Sequence, residues 1–164
     1  MKNGNSLETA VVTRLIENNW HIAFAESCTG GLCAGRLVNV PDASRVLDIS
    51  FVTYANEAKI KYLAVPIDLI EAHGVVSEEV ACAMAEGVAK AAGCEVGVAT
   101  SGIAGPSGAV PGKPVGTVCF GFYVNGSTYT DTRHFDNMER NEVRAAAVDF
   151  VFETLAKGSG TFAL

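Results

Sequence analysis

His21-Ile22-Ala23-Phe24-Ala25 runs without a break into Glu26-Ser27-Cys28-Thr29-Gly30-Gly31, and this stretch decides the fold. The apolar residues read as a short buried strand, and the hydroxyl- and glycine-rich turn after them feeds a helix that must stop before Pro41. Upstream, Ser6 can cap a helix whose apolar residues Leu7, Val11, Leu15 and Ile16 fall at helical spacing. Downstream, a strand over 50–54 leads to Asn56 as N-cap of a helix over 57–63, and Pro66 opens a short helix closing at His73-Gly74. Ser77, with Glu78 and Glu79 in the first turn, starts an alanine-rich helix ending at Gly93, whose small side chains predict close packing against a sheet. A strand over 95–100 enters the glycine-rich segment 101–108. Strands over 115–124 and 127–135 flank Asn125-Gly126, which specifies a hairpin with a type I′ turn. Asn137 is the expected cap of a last helix through Lys157. The order αβαβααβ followed by ββα predicts a three-layer α/β/α sandwich with a mixed, partly parallel sheet and a C-terminal antiparallel hairpin. One domain over 1–164 is expected, with loose ends at 1–5 and 158–164.

Composition supports a large core. Of 164 residues, 49% are hydrophobic and 18% charged, less charge than the roughly 25% of an average domain. A chain this apolar buries enough surface to offset its conformational entropy, which excludes disorder. It does not predict a membrane span, because the long uncharged stretch 96–112 is broken by glycines and prolines. The N-terminus leads into a Glu-containing amphipathic segment instead of an apolar leader, so no signal peptide is expected. A net charge of −6 and a pI near 5.0 argue against general nucleic-acid binding while leaving room for a local cationic pocket. The five cysteines contain no C-x-x-C pair and read as buried small hydrophobes of a reducing cytoplasm, with no metal site. So much apolar surface on one domain also predicts a homo-oligomer.

Three predicted strands end in segments of unusual composition, around Ser27, around Tyr54 to Lys59, and over 101–108. Ligands of open α/β sheets bind outside the carboxyl ends of strands, so these segments can line one crevice. Ser27, on a strand-to-helix turn, fits an ordinary N-cap and equally an exposed nucleophile flanked by backbone donors. A nucleophile needs a base. His21, His73 and His134 are expected away from any strand's carboxyl end, which leaves lysine. Lys59 in the first turn of its helix opposes the helix dipole; it is either a solvated side chain or, in a closed crevice, a neutral amine fit for general base catalysis. Arg140 also falls in a first turn, where acids are preferred, and Arg144 one turn on is the backup cation. Tyr54 fits either a packed aromatic or a site hydroxyl.

Read together, these segments resemble the CinA C-terminal domain family, which includes stand-alone nicotinamide mononucleotide deamidases. The matching stretches are Ala25-Glu26-Ser27-Cys28-Thr29-Gly30-Gly31, Phe51-Val52-Thr53-Tyr54-Ala55-Asn56-Glu57-Ala58-Lys59, His73-Gly74-Val75-Val76-Ser77, Ser101-Gly102-Ile103-Ala104-Gly105-Pro106 and Lys113-Pro114-Val115-Gly116-Thr117-Val118. The resemblance implies hydrolysis of the carboxamide of nicotinamide mononucleotide to nicotinate mononucleotide and ammonia, by a serine–lysine amidohydrolase without metal or cofactor. It implies Ser27 as nucleophile, Lys59 as base and Tyr54, Ser101 and Arg140 as supporting residues. Thr29, Gly30, Gly31, Gly102 and Gly105 of the two loops would bind substrate with Ser101 and Arg140, the glycine-rich loops and Arg140 holding its 5′-phosphate. Position 101 carries serine where some relatives show threonine, and 137–140 reads Asn-Met-Glu-Arg where relatives show a Gly-Asp-Arg turn. Longer family members carry a further N-terminal domain similar to molybdopterin-binding enzymes, so no pyrophosphatase activity carries over. Hydrolysis of another amide uses the same groups, and a non-catalytic nucleotide-binding or regulatory module would use the same loops without a depressed lysine pKa.

Overall fold

The computed structural model describes residues 6–157, and the loose ends expected at 1–5 and 158–164 lie outside the described residues. Five strands, β1 (Ile22–Glu26), β2 (Phe51–Val52), β3 (Val96–Gly102), β4 (Thr117–Val124) and β5 (Ser127–His134), form one sheet in the order β2-β1-β3-β4-β5. β1 pairs in parallel with β2 and β3, whereas β3, β4 and β5 are antiparallel, so the sheet is mixed as expected. The β4–β5 turn carries positive φ at both Asn125 (46°) and Gly126 (91°), the type I′ requirement.

Helices α1 (Leu7–Asn18), α2 (Leu32–Leu37) and α6 (Arg140–Lys157) cover one face of the sheet; α3 (Asn56–Leu63), α4 (Ile67–His73) and α5 (Glu78–Ala92) belong to the other. The two faces differ in side-chain size. Phe24, Phe120, Phe122 and Phe152 fill the first core, while Ala23, Ala25 and Ala99 with Met84 and Val88 make the second. On the thin side a Cβ at Gly97 would overlap the carbonyl oxygen of Ala85, and one at Gly121 that of Ala81. The alanine-rich α5 therefore lies with its backbone close against the strands, the arrangement its composition predicts.

Caps set the helix ends. Ser6 accepts from Thr9 N–H, Ser77 accepts from Val80 N–H, and Asn19 and Gly93 close α1 and α5 in the left-handed conformation. Two expected caps are corrected. Ala55, extended at φ −80°, precedes α3 and its carbonyl accepts Lys59 N–H, so Asn56 is the first helical residue and Lys59 the fourth. Asn137 instead takes a left-handed turn conformation (φ 57°), which asparagine tolerates, and α6 starts only at Arg140. There Glu142 reaches back to accept Glu139 N–H at 2.7 Å, one half of a capping box. The strand expected over 50–54 shrinks to Phe51–Val52 at the sheet edge, with Thr53 N–H still donating to Glu26 O at 3.0 Å.

The topology places the crevice. From β1 the chain moves to β2 on one side, then crosses back to β3 on the other, so the carboxyl ends of β1 and β3 diverge at a switch point.

Candidate active site

Ser27 is the first residue beyond β1. Its N–H donates to Thr100 O across the sheet (3.0 Å) and its carbonyl accepts Gly30 N–H (3.1 Å), which closes a tight turn. Helix α2 begins five residues later behind Gly31, so the Ser27 hydroxyl caps nothing. The capping is done by Glu26, 1% exposed, whose carboxylate accepts from the N–H groups of Gly31, Cys33 and Ala34 at 2.9–3.1 Å and from Thr29 Oγ1 at 2.6 Å. Thr29 bonds in turn to Thr100 Oγ1. From the far side Arg144 donates to the carbonyls of Cys28 (3.0 Å) and Thr29 (3.2 Å). The turn carrying Ser27 is thus held by a buried carboxylate on its N–H side and a guanidinium on its carbonyl side.

Lys59 reaches that turn from α3. Its side chain is 1% exposed, and Nζ donates to Ser27 Oγ at 3.2 Å, Thr53 O at 2.7 Å and Tyr54 O at 3.1 Å. Among the described residues no carboxylate pairs with it. Burial pulls its pKa below the ordinary lysine value, with Glu57 opposing the shift. The neighbouring Cys28 thiol, pushed up to about 12 by its own burial, is protonated at neutral pH and lends the ammonium no counter-charge. Beside it the Thr53 hydroxyl is buried and has no partner among the described residues.

A cavity of about 380 Å³ opens beside this pair, bounded by Cys28, Tyr54, Val75, Gly102, Gly105 and Arg140. Arg140 donates to Gly105 O (2.7 Å) and to the Tyr54 hydroxyl (3.1 Å), bridging two of the expected walls. Gly102 is obligatory: a Cβ there would stand 2.7 Å from Val118 and 3.1 Å from Cys28 Sγ. Ser101, buried, donates to Val75 O at 2.7 Å and thereby pins the segment before α5 as another wall.

Tyr54, Gly102, Gly105 and Arg140 line the cavity; Ser27 and Lys59 do not line it but adjoin it through Cys28 and the Tyr54 carbonyl that Lys59 contacts, and Ser101 stands behind the wall. Thr29, Gly30 and Gly31 do not line this cavity; the Thr29 hydroxyl and the N–H groups of both glycines are engaged in holding the turn. Arg144 faces that turn instead of the cavity. Among the histidines, His134 does end a strand, β5, contrary to expectation, but it lies at the far sheet edge against Thr117 Oγ1. His21 pairs with Asp48 and His73 with Glu79, so none meets Ser27. Sequence reasoning missed Glu26 and Lys113. The first was signalled by a carboxylate at the end of an apolar strand, the second by the lone charge that ends the uncharged stretch. Among the described residues no cluster of three His, Cys, Asp or Glu side chains offers a metal site, and no helix is long and apolar enough to cross a membrane.

Residues 4–158 match the family model described as the CinA C-terminal domain. A competence-damage inducible protein of Alkaliphilus oremlandii is 45% identical over 152 residues, covering 93% of this chain, and one of Clostridium botulinum strain ATCC 19397 is 43% identical over 153 residues, covering 92%. The chain spans 37% of the length of these curated relatives. Among solved structures, competence damage-inducible protein A of Klebsiella pneumoniae superposes with a TM-score of 0.89 at 35% identity, covering 93% of this chain and 94% of that one. A competence/damage inducible protein of Agrobacterium tumefaciens gives 0.86 at 34% identity, covering 94% and 96%.

Proposed function

The chain belongs to the CinA C-terminal domain family, and from that premise we propose that it hydrolyses the carboxamide of nicotinamide mononucleotide to nicotinate mononucleotide and ammonia. The observation that carries this reading is the contact of a buried lysine, without a carboxylate partner among the described residues, with a serine on a strand-end turn. Neutral Lys59 takes the Ser27 proton as Oγ attacks the carboxamide carbon. The oxyanion falls to backbone donors of the turn beside Ser27. Arg144 behind the Cys28 and Thr29 carbonyls strengthens such donors by polarising their peptides. The Lys59 ammonium then protonates the departing nitrogen, releasing ammonia and leaving an ester on Ser27. Water, deprotonated by the same amine, attacks that ester, and the ammonium returns the proton to Ser27 Oγ as the acyl–oxygen bond breaks and the carboxylate product leaves.

Arg140 holds substrate on the Tyr54 side of the cavity. The reaction needs no metal or cofactor, and the proposal includes a cytoplasmic setting and a homo-oligomeric state. The test is ammonia release by Ser27→Ala and Lys59→Ala: both lose turnover while circular dichroism and melting stay as in the parent. Turnover by either variant at the parent rate contradicts the dyad. A module that only binds nucleotides would bind the mononucleotide and release no ammonia in any form.

A further inference from the structure

The whole chain carries a net charge of −6, yet among the described residues no Asp or Glu lines the cavity beside the Ser27 turn; its charged walls are Arg140 and Lys113. Lys113 is half-buried and, among the described residues, forms no ion pair; its ammonium donates to the main-chain carbonyl of His73 at 2.8 Å. Its mount is stiff. Val110 and Lys113 exchange both backbone hydrogen bonds (3.1 and 2.9 Å) across Pro111-Gly112, whose sequence and positive Gly112 φ (78°) fit a type II turn. Nearby stands Gly74, whose missing Cβ would lie 3.4 Å from Lys113 Nζ. On the cavity wall the Ser107 hydroxyl makes no hydrogen bond among the described residues.

An ammonium whose contact among the described residues is a single neutral carbonyl has donor capacity left for an incoming anion, and a charge-assisted hydrogen bond to an anion is the stronger kind. Arg140 is committed to Tyr54 and Gly105 near the dyad, whereas Lys113 is anchored on a different segment and has donor capacity left. We propose that Lys113, with Ser107 of the same cavity lining, is the anion subsite that reads the 5′-phosphate and so selects mononucleotides over nucleosides. This assignment rests on the amidase reading for the identity of the substrate but not for the existence of the subsite.

Lys113→Gln separates the roles, because it removes the charge while keeping a polar side chain with N–H donors at this position. With nicotinamide mononucleotide the variant shows KM raised about 10- to 100-fold and kcat within about twofold, the loss of one charge-assisted hydrogen bond. With nicotinamide riboside its kinetics match the parent, and Lys113→Arg recovers most of the mononucleotide affinity. An equal loss on both substrates, or none on the mononucleotide, overturns the assignment. Calorimetric titration of the Ser27→Ala chain, with and without Lys113→Gln, against the same two compounds reads binding without turnover. Should the parent release no ammonia, mononucleotide binding that weakens with Lys113→Gln while riboside binding does not still supports the subsite, and equal binding overturns it.

Discussion

Lys59 Nζ rests 3.2 Å from Ser27 Oγ, and its other two acceptors are the main-chain carbonyls of Thr53 and Tyr54, so only neutral groups touch the ammonium. Burial then dominates, and the amine loses its proton below the ordinary value of 10.5. Because the base form is the neutral one, kcat/KM for ammonia release rises with pH along a limb whose midpoint lies below that value. Glu57 stabilises the ammonium, so Glu57→Gln moves the limb to lower pH. A limb that stays put or moves up contradicts this electrostatic account. Stability follows the same linkage: between the lowered pKa and 10.5 the unfolded chain binds more protons than the folded one, so the contribution of Lys59 to stability improves as pH rises through that window.

Glu26→Gln tests the turn's support. The carboxylate satisfies three backbone N–H groups and the Thr29 hydroxyl, and a carboxamide replaces one acceptor oxygen with a donor that faces those N–H groups. Leaving buried donors unmatched costs about 3 kcal/mol, a fall in Tm of roughly 10 °C for a domain of this size. Thermal unfolding at neutral pH reads it, and a variant that melts with the parent contradicts the role.

Gly97→Ala tests the thin face of the sandwich. The added methyl group meets the Ala85 carbonyl on α5, and the helix must move away from β3. The expected cost is about 1–3 kcal/mol, measured by denaturant unfolding. Gly93→Ala is the contrast, since nothing surrounds a Cβ there and only the φ of +66° resists it. An unchanged midpoint for Gly97→Ala contradicts the close approach.

Self-association is testable by light scattering at micromolar concentration. Leu32, Val52 and Tyr62 are 41–56% exposed, apolar surface that one domain leaves uncovered. A mass above that of one chain is expected, and a monomer contradicts it.

Sequence made local features legible. Asn125-Gly126, Ser6, Ser77 and Gly93 each fix a turn or cap through their own backbone preferences, and all stand where those preferences put them. The gathering of Ser27, Lys59, Tyr54 and Arg140 was legible only through strand-end logic joined to a family likeness, because 113 positions separate the first from the last. Hidden from sequence were choices made by tertiary partners. Glu26 caps a helix that starts six residues beyond it, which no N-cap rule anticipates, and this is what releases Ser27 from capping and takes up the Thr29 hydroxyl. Asn56 and Asn137 are competent caps by composition, yet Ala55 and the chain at Glu139 start the helices, since the approach of each segment to the sheet sets where helical geometry begins. Lys113 lay in a stretch with no periodic signal, and only the cavity gives it meaning.

The central claim is most directly tested by incubating the purified 164-residue chain with nicotinamide mononucleotide and quantifying ammonia and nicotinate mononucleotide together. Equimolar appearance of both, absent when Ser27→Ala replaces the parent, is the predicted result. No ammonia from the parent, or equal yields from parent and Ser27→Ala, contradicts it.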